Sequence, residues 1–155
     1  MDVNKIYYLT KDGLANLKND LQQMKELRKV KLGKEAPSAF YSEELNSEFV
    51  SFRDEMDVLD AKIEEMEHVL KNYEIIKPPS PNEKDKVGLG AKVRVEIDGA
   101  IDEFTIVGTW EANPALGLIS DESPVGKALL GKKAGDIVTL NSPIKIAYNI
   151  KKITY

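Results

Sequence analysis

Apolar residues recur at alternating steps of three and four through Phe49, Phe52, Met56, Leu59, Ile63, Met66, Leu70 and Tyr73. This spacing keeps one stripe on one side of a helix for several turns, the pattern of a coiled-coil seam. An earlier stretch has the same rhythm at Leu14, Leu17, Leu21 and Met24, then blurs at Leu27, Val30 and Leu32. Thr10 stands where a side-chain oxygen would cap this first helix. Pro37 ends it, because proline cannot continue the hydrogen-bond ladder. The connection, with its tip near residues 36–46, is too short for anything but an antiparallel return. At about 1.5 Å per residue, Ser42 to Tyr73 would span about 48 Å, so the tip is expected to project.

Beyond Lys77 the period changes. The run Lys77-Pro-Pro-Ser-Pro-Asn-Glu-Lys84 breaks every helical pattern, and its prolines make a semi-rigid spacer. After it, Val93, Val95 and Ile97 alternate with Lys92, Arg94 and Glu96. Asp98-Gly99 follows, then Ile101, Phe104 and Ile106, which predicts a strand, a tight turn and a second strand. Ile119 ends another strand, and Pro124 to Leu130 with Gly131 behind it predicts a short helix with a glycine cap. Ile137 to Leu140 and Ile144 to Ile153 predict closing strands. The expected fold class is therefore α+β in two domains. Residues 1–76 form an antiparallel coiled-coil hairpin, 77–84 a proline-rich linker, and 85–155 a mostly antiparallel sheet with one short helix.

Charge supports the helix pairing. Residues 18–34 hold six bases (Lys18, Lys25, Arg28, Lys29, Lys31, Lys34) against two acids, whereas residues 35–74 hold twelve acids against three bases. Oppositely charged helices favour each other at the flanks of a seam. The same basic stretch also offers a surface to nucleic acid or an acidic partner. The net charge of −4 argues against a general nucleic-acid binder. With the seam used internally, a monomer is expected. The 155 residues include no cysteine, which removes disulfides and thiolate metal sites and fits a cytoplasmic location. Met1-Asp-Val-Asn-Lys5 has no apolar signal core, and no apolar run approaches the ~18–20 residues that cross a bilayer, so no membrane partner is expected.

Most familiar catalytic constellations are missing. The single histidine, His68, lies off the seam at a position expected to be surface, and no Ser-His-acid set is evident. Gly88-Leu-Gly90 is too short for a phosphate loop. The candidate chemistry is a pair of carboxylates, Glu43 and Glu44, beside Phe40 and Tyr41 at the tip. Carboxylates bind hard cations such as Mg²⁺ with a substrate or second macromolecule completing the sphere. A tip of this kind can complete a site that belongs to another molecule.

The order of helical hairpin, linker and small α+β domain resembles the bacterial Gre-type transcript cleavage and elongation factors. Leu9-Thr-Lys-Asp-Gly13-Leu-Ala-Asn-Leu17 is similar to the family's opening turn, and Asn46-Ser-Glu48-Phe49 to its return helix. The most specific run is Gly117-Leu-Ile-Ser120-Asp-Glu-Ser123-Pro124-Val-Gly-Lys-Ala-Leu129-Leu-Gly131-Lys-Lys-Ala-Gly135-Asp136. The resemblance implies an FKBP-like second domain that docks on the rim of the RNA polymerase secondary channel through Glu122, Ser123 and Pro124. It implies a hairpin tip that reaches the polymerase active centre, shares its Mg²⁺, and stimulates cleavage of backtracked transcripts, touching the nascent RNA 3′ end only indirectly. The factor would be an accessory, not itself an enzyme.

The tip departs from the family pattern of Asp-Leu-x-Glu-Asn-x-Glu-Tyr. Aligned on Asn46, Glu48 and Phe49, Ser42 stands at the first acid and Leu45 at the second, with Glu43 and Glu44 between them. Counting forward from Gly13 instead places Glu44 at the first acid, so the first arm or its turn is shorter by two residues. Three readings follow. Glu43 and Glu44 substitute for the missing acids. Or the chain is a cleavage-inactive paralogue that occupies the channel and inhibits or modulates the polymerase. Or the two are first-turn acids favoured by the helix dipole behind Ser42. A peptidyl-prolyl isomerase is a reading of another class. It needs an aromatic-lined pocket, and Phe104 and Tyr148, two of the four aromatics Phe104, Trp110, Tyr148 and Tyr155, fall at core-like strand positions.

Overall fold

The structure is a computed structural model that describes residues 5–34, 47–141 and 143–155. The chain divides into two compact units. One comprises the described residues of Leu14–Asn72; the other takes in the chain up to Gly13 and resumes at Tyr73. The hydropathy pattern put the break at 77–84, whereas the contacts put it at both ends of the helical segment.

The helical unit holds most of α1 (Lys11–Lys34) and all of α2 (Ser47–Lys71). Thr10 caps α1 as expected: its Oγ1 accepts the Gly13 N–H at 2.9 Å. The buried stripe consists of Leu17 and Leu21 on α1 and Met56, Leu59, Ile63, Met66 and Val69 on α2. Leu27, Val30 and Leu32, where the first pattern blurs, are exposed. Ion pairs join Lys25 to Glu67 at 2.6 Å, Arg28 to Asp60, and Lys31 to Glu55 at 2.8 Å. The partner's number falls on α2 as the residue number rises on α1, so the helices run antiparallel. These pairs are solvent-exposed and select register and direction more than they stabilise.

The seam ends earlier than its spacing predicts. The Asn72 backbone N–H donates to the Val69 carbonyl at 3.1 Å, and its side-chain Nδ2 donates to the His68 carbonyl at 3.0 Å. These bonds close the helix, and Tyr73 leaves it to open a strand. Two successive steps of three, Ile63 to Met66 to Val69, rotate the buried stripe off Leu70. His68 is half-buried rather than a free surface residue.

The second unit contains two sheets. Strand β1 (Tyr7–Leu9) pairs in parallel with β2 (Tyr73–Ile75), placing Tyr7 opposite Tyr73 and Leu9 opposite Ile75. The Ile76 N–H extends the ladder to the Leu9 carbonyl at 2.8 Å. Parallel neighbours need a long crossover connection, and here the two helices supply it. Neither strand was expected, since three residues are too few to show a period.

The larger sheet has the order β5-β4-β3-β7-β6. Its strands are β3 (Lys92–Ile97), β4 (Ala100–Val107), β5 (Leu118–Ser120), β6 (Ile137–Asn141) and β7 (Lys145–Thr154). Only the β4–β5 pairing is parallel. The β3–β4 turn falls on Asp98 and Gly99, with φ of 50° and 81°, as a two-residue hairpin with a primed turn requires. Helix α3 (Pro124–Leu129) contributes Leu129 to a core formed with Val93, Val95, Ile106, Val138, Tyr148 and Ile150. Phe104 and Ile106 share a phase along β4, but Ile101 lies an odd step away. It sits opposite Glu96 and is 58% exposed, so it does not join the core. The proline-rich segment is built of turns, with Ser80 Oγ donating to Glu83 at 2.7 Å and the Glu83 N–H donating to the Ser80 carbonyl at 2.9 Å.

Candidate docking site

Strand β5 ends at Ser120, and the chain bends back into α3 through Asp121, Glu122 and Ser123. This bend is held by its own hydrogen bonds. Asp121 N–H donates to the Val107 carbonyl at 2.9 Å, and Glu122 N–H donates to Ser120 Oγ at 3.1 Å. Ser123 Oγ donates to the Ser120 carbonyl at 2.7 Å and accepts the Gly126 N–H at 3.0 Å, which caps α3. Pro124 takes the first helical position, where its missing N–H costs nothing. A Cβ on Gly126 would lie 1.9 Å from the Ser120 carbonyl oxygen, so only glycine fits the return of the chain. The three residues Glu122, Ser123 and Pro124 thus stand together on one rigid turn.

The Glu122 carboxylate is exposed but held. Lys5 Nζ donates to its Oε2 at 2.8 Å. Its carboxyl lies below the ordinary carboxylate range, first through the hydrogen bond from Lys5 and then through one from Thr109. The Lys5 amine is raised correspondingly, mainly by its hydrogen bond to Glu122. Lys5 also lies 5.5 Å from the centre of the Tyr7 ring, within cation–π reach.

Thr109 opens a 3-10 turn, Thr109–Glu111, and the far end of that turn binds the start of α1. The Glu111 carboxylate accepts the Thr10 backbone N–H and the Thr10 hydroxyl, each at 2.6 Å. A Cβ on Gly13 would come within 2.0 Å of Glu111 Oε1, and one on Gly108 within 1.9 Å of the Tyr8 carbonyl oxygen. One short turn therefore reaches both Ser120, through Thr109 Oγ1, and the cap of the first helix, through Glu111.

The family resemblance pointed to Glu122, Ser123 and Pro124, and no motif in the sequence pointed to Lys5, Thr109 or Glu111. The partners of Lys5 and Glu111 lie 117 and 101 residues away along the chain and leave no periodic trace. Gly13 was the one available signal, a glycine in the first turn of a helix. Glu43 and Glu44 lie outside the described residues. Among the described residues no cluster of three or more His, Cys, Asp or Glu is arranged to hold a metal ion, and no helix is long and apolar enough to cross a membrane. Phe104 and Tyr148 pack against each other in the core, with ring centres 6.4 Å apart.

A family model described as the C-terminal part of the transcription elongation factors GreA/GreB matches residues 81–155. Transcription elongation factor GreA of Thermomicrobium roseum is 34% identical over 137 residues, 87% of this chain and 88% of that protein. GreA of Listeria monocytogenes serotype 4a is 35% identical over 159 aligned positions that cover 99% of both chains. Among solved structures, GreA factor homolog 1 (Gfh1) of Thermus thermophilus is 28% identical, covers 97% of this chain and 100% of its own, and superposes with a TM-score of 0.43.

Proposed function

The chain belongs to the GreA/GreB family of transcription elongation factors, and from that premise we propose that it acts by binding bacterial RNA polymerase. In this reading residues 85–155 are an FKBP-like docking domain. Glu122, Ser123 and Pro124 meet the rim of the secondary channel. The coiled-coil hairpin enters the channel as a monomer's single arm, in the cytoplasm. Its tip acids, Glu43 and Glu44, are this chain's contribution to an active centre that is otherwise the polymerase's. Mg²⁺ held there supplies the Lewis acid for phosphodiester hydrolysis when bound. The factor would stimulate cleavage of backtracked transcripts without being an enzyme itself. The observation that supports docking is the pre-formed turn at Ser120 to Gly126, which presents Glu122 to solvent on a backbone that needs no rearrangement.

The tip sequence favours a second reading. Aligned on Asn46, Glu48 and Phe49, Ser42 and Leu45 occupy the places where the family keeps its acids. A channel-binding paralogue that inhibits or modulates the polymerase, and does not stimulate cleavage, fits those residues. Stalled elongation complexes with added Mg²⁺ separate the two readings in one gel. Under the first, the wild-type protein shortens the transcript and the double variant Glu43→Ala/Glu44→Ala loses at least about 10–100-fold in rate, the cost of removing even an outer-shell partner of a metal site. Association without cleavage selects the second. A pull-down in which a cognate polymerase retains no protein sinks both.

A further inference from the structure

We propose that Lys5 belongs to the polymerase-docking surface as the residue that positions the Glu122 carboxylate for its partner. This rests on reading Glu122, Ser123 and Pro124 as the docking segment.

The backbone from Ser120 to Gly126 is fixed by its own hydrogen bonds, so the remaining freedom at the turn is that of the Glu122 side chain. An exposed glutamate samples many rotamers, and ordering it on binding opposes association. Lys5 removes that freedom beforehand. Its amine holds Oε2 at 2.8 Å. The Lys5 side chain is 30% exposed and that of Glu122 is 50% exposed, so the pairing leaves part of the glutamate open to solvent. Lys5 is in turn steadied by the Tyr7 ring, and Tyr7 is fixed in register opposite Tyr73. A cationic or N–H donor group on the polymerase would meet a carboxylate already aimed at it. The docking surface is then composite, drawn from the start of the chain as well as from the 120–126 turn.

The test is a double-mutant cycle on polymerase affinity with the full-length protein. Lys5→Met should weaken binding by about three- to tenfold, the cost of ordering one long side chain, with little change in melting temperature. Lys5→Arg, which keeps the donor, should restore most of it. In a Glu122→Gln background, Lys5→Met should have almost no further effect. If Glu122→Gln weakens binding but Lys5→Met does not, or if the two effects simply add, the positioning role is wrong and the docking assignment stands. Tighter binding by Lys5→Met would make Lys5 a competitor for Glu122 and overturn the proposal equally. Absence of wild-type binding, or a neutral Glu122→Gln, brings down the docking assignment itself and this inference with it.

Discussion

The glycines of this chain do unlike jobs that the sequence does not distinguish. Gly126 has the Ser120 carbonyl oxygen 1.9 Å from where a Cβ would stand, whereas Gly33, in the last turn of α1, has nothing within 4 Å. Alanine at Gly126 forces backbone apart and should cost about 1–3 kcal/mol. Alanine at Gly33 should be neutral or stabilising by up to about 1 kcal/mol, the helix-propensity gain. Thermal melts of the two variants check both signs, and Gly126→Ala should also weaken any docking through Glu122. From sequence, Thr10 was recognisable as a cap because its partner, the Gly13 N–H, is three residues away. Glu111 was not, because it completes that cap from a distant turn whose own residues carry no motif. Local chemistry could be read, and distant chemistry could not.

The helical elements were the most readable part. A long apolar period and opposite charge runs give pairing and direction together, and the ion pairs at Lys25, Arg28 and Lys31 bear out the direction. The end of the second helix was misread because the seam at Tyr73 continues in sequence after Asn72 has closed the helix. Ile101 was misplaced for a related reason: apolar character suggested the core, but strand phase put it on the outer face. The pairing also fixes how the hairpin responds to acid. Asp60 is held below its ordinary value chiefly by its hydrogen bond from Arg28, and Glu67 by one from Lys25. Groups depressed in this way stabilise the fold above the ordinary carboxylate range and lose that contribution as pH falls through their folded values. Helix content and melting temperature should therefore hold steady from neutrality to about pH 5 and decline below it. In the double variant Asp60→Asn/Glu67→Gln the acid-side decline should be shallower. An unchanged profile would show that the pairs do not contribute.

In the whole molecule the unit that carries the Ser120–Gly126 turn is discontinuous. Residues 81–155, the part the family model matches, hold the larger sheet and α3 but neither β1 nor β2. A fragment of those residues leaves Glu111 without its two Thr10 donors and Glu122 without Lys5. It should melt below the sheet-unit transition of the full chain and exchange the amides of residues 108–123 faster. Equal stability and equal protection would show that the first strand pair is dispensable. A reading by composition could not anticipate this, because the linker prolines mark a change of period and not the limit of a packed unit.

The crossover from β1 to β2 also has a consequence in time. Synthesis delivers Thr10 long before Glu111, which lies 101 residues further along. At about 5–20 residues per second, the cap waits about 5–20 s for its carboxylate. Both helices emerge from the ribosome within that interval and have each other to pack against. The cap made first is therefore among the last to be completed, and a nascent chain halted before residue 111 would hold both helix sequences with that cap unfinished.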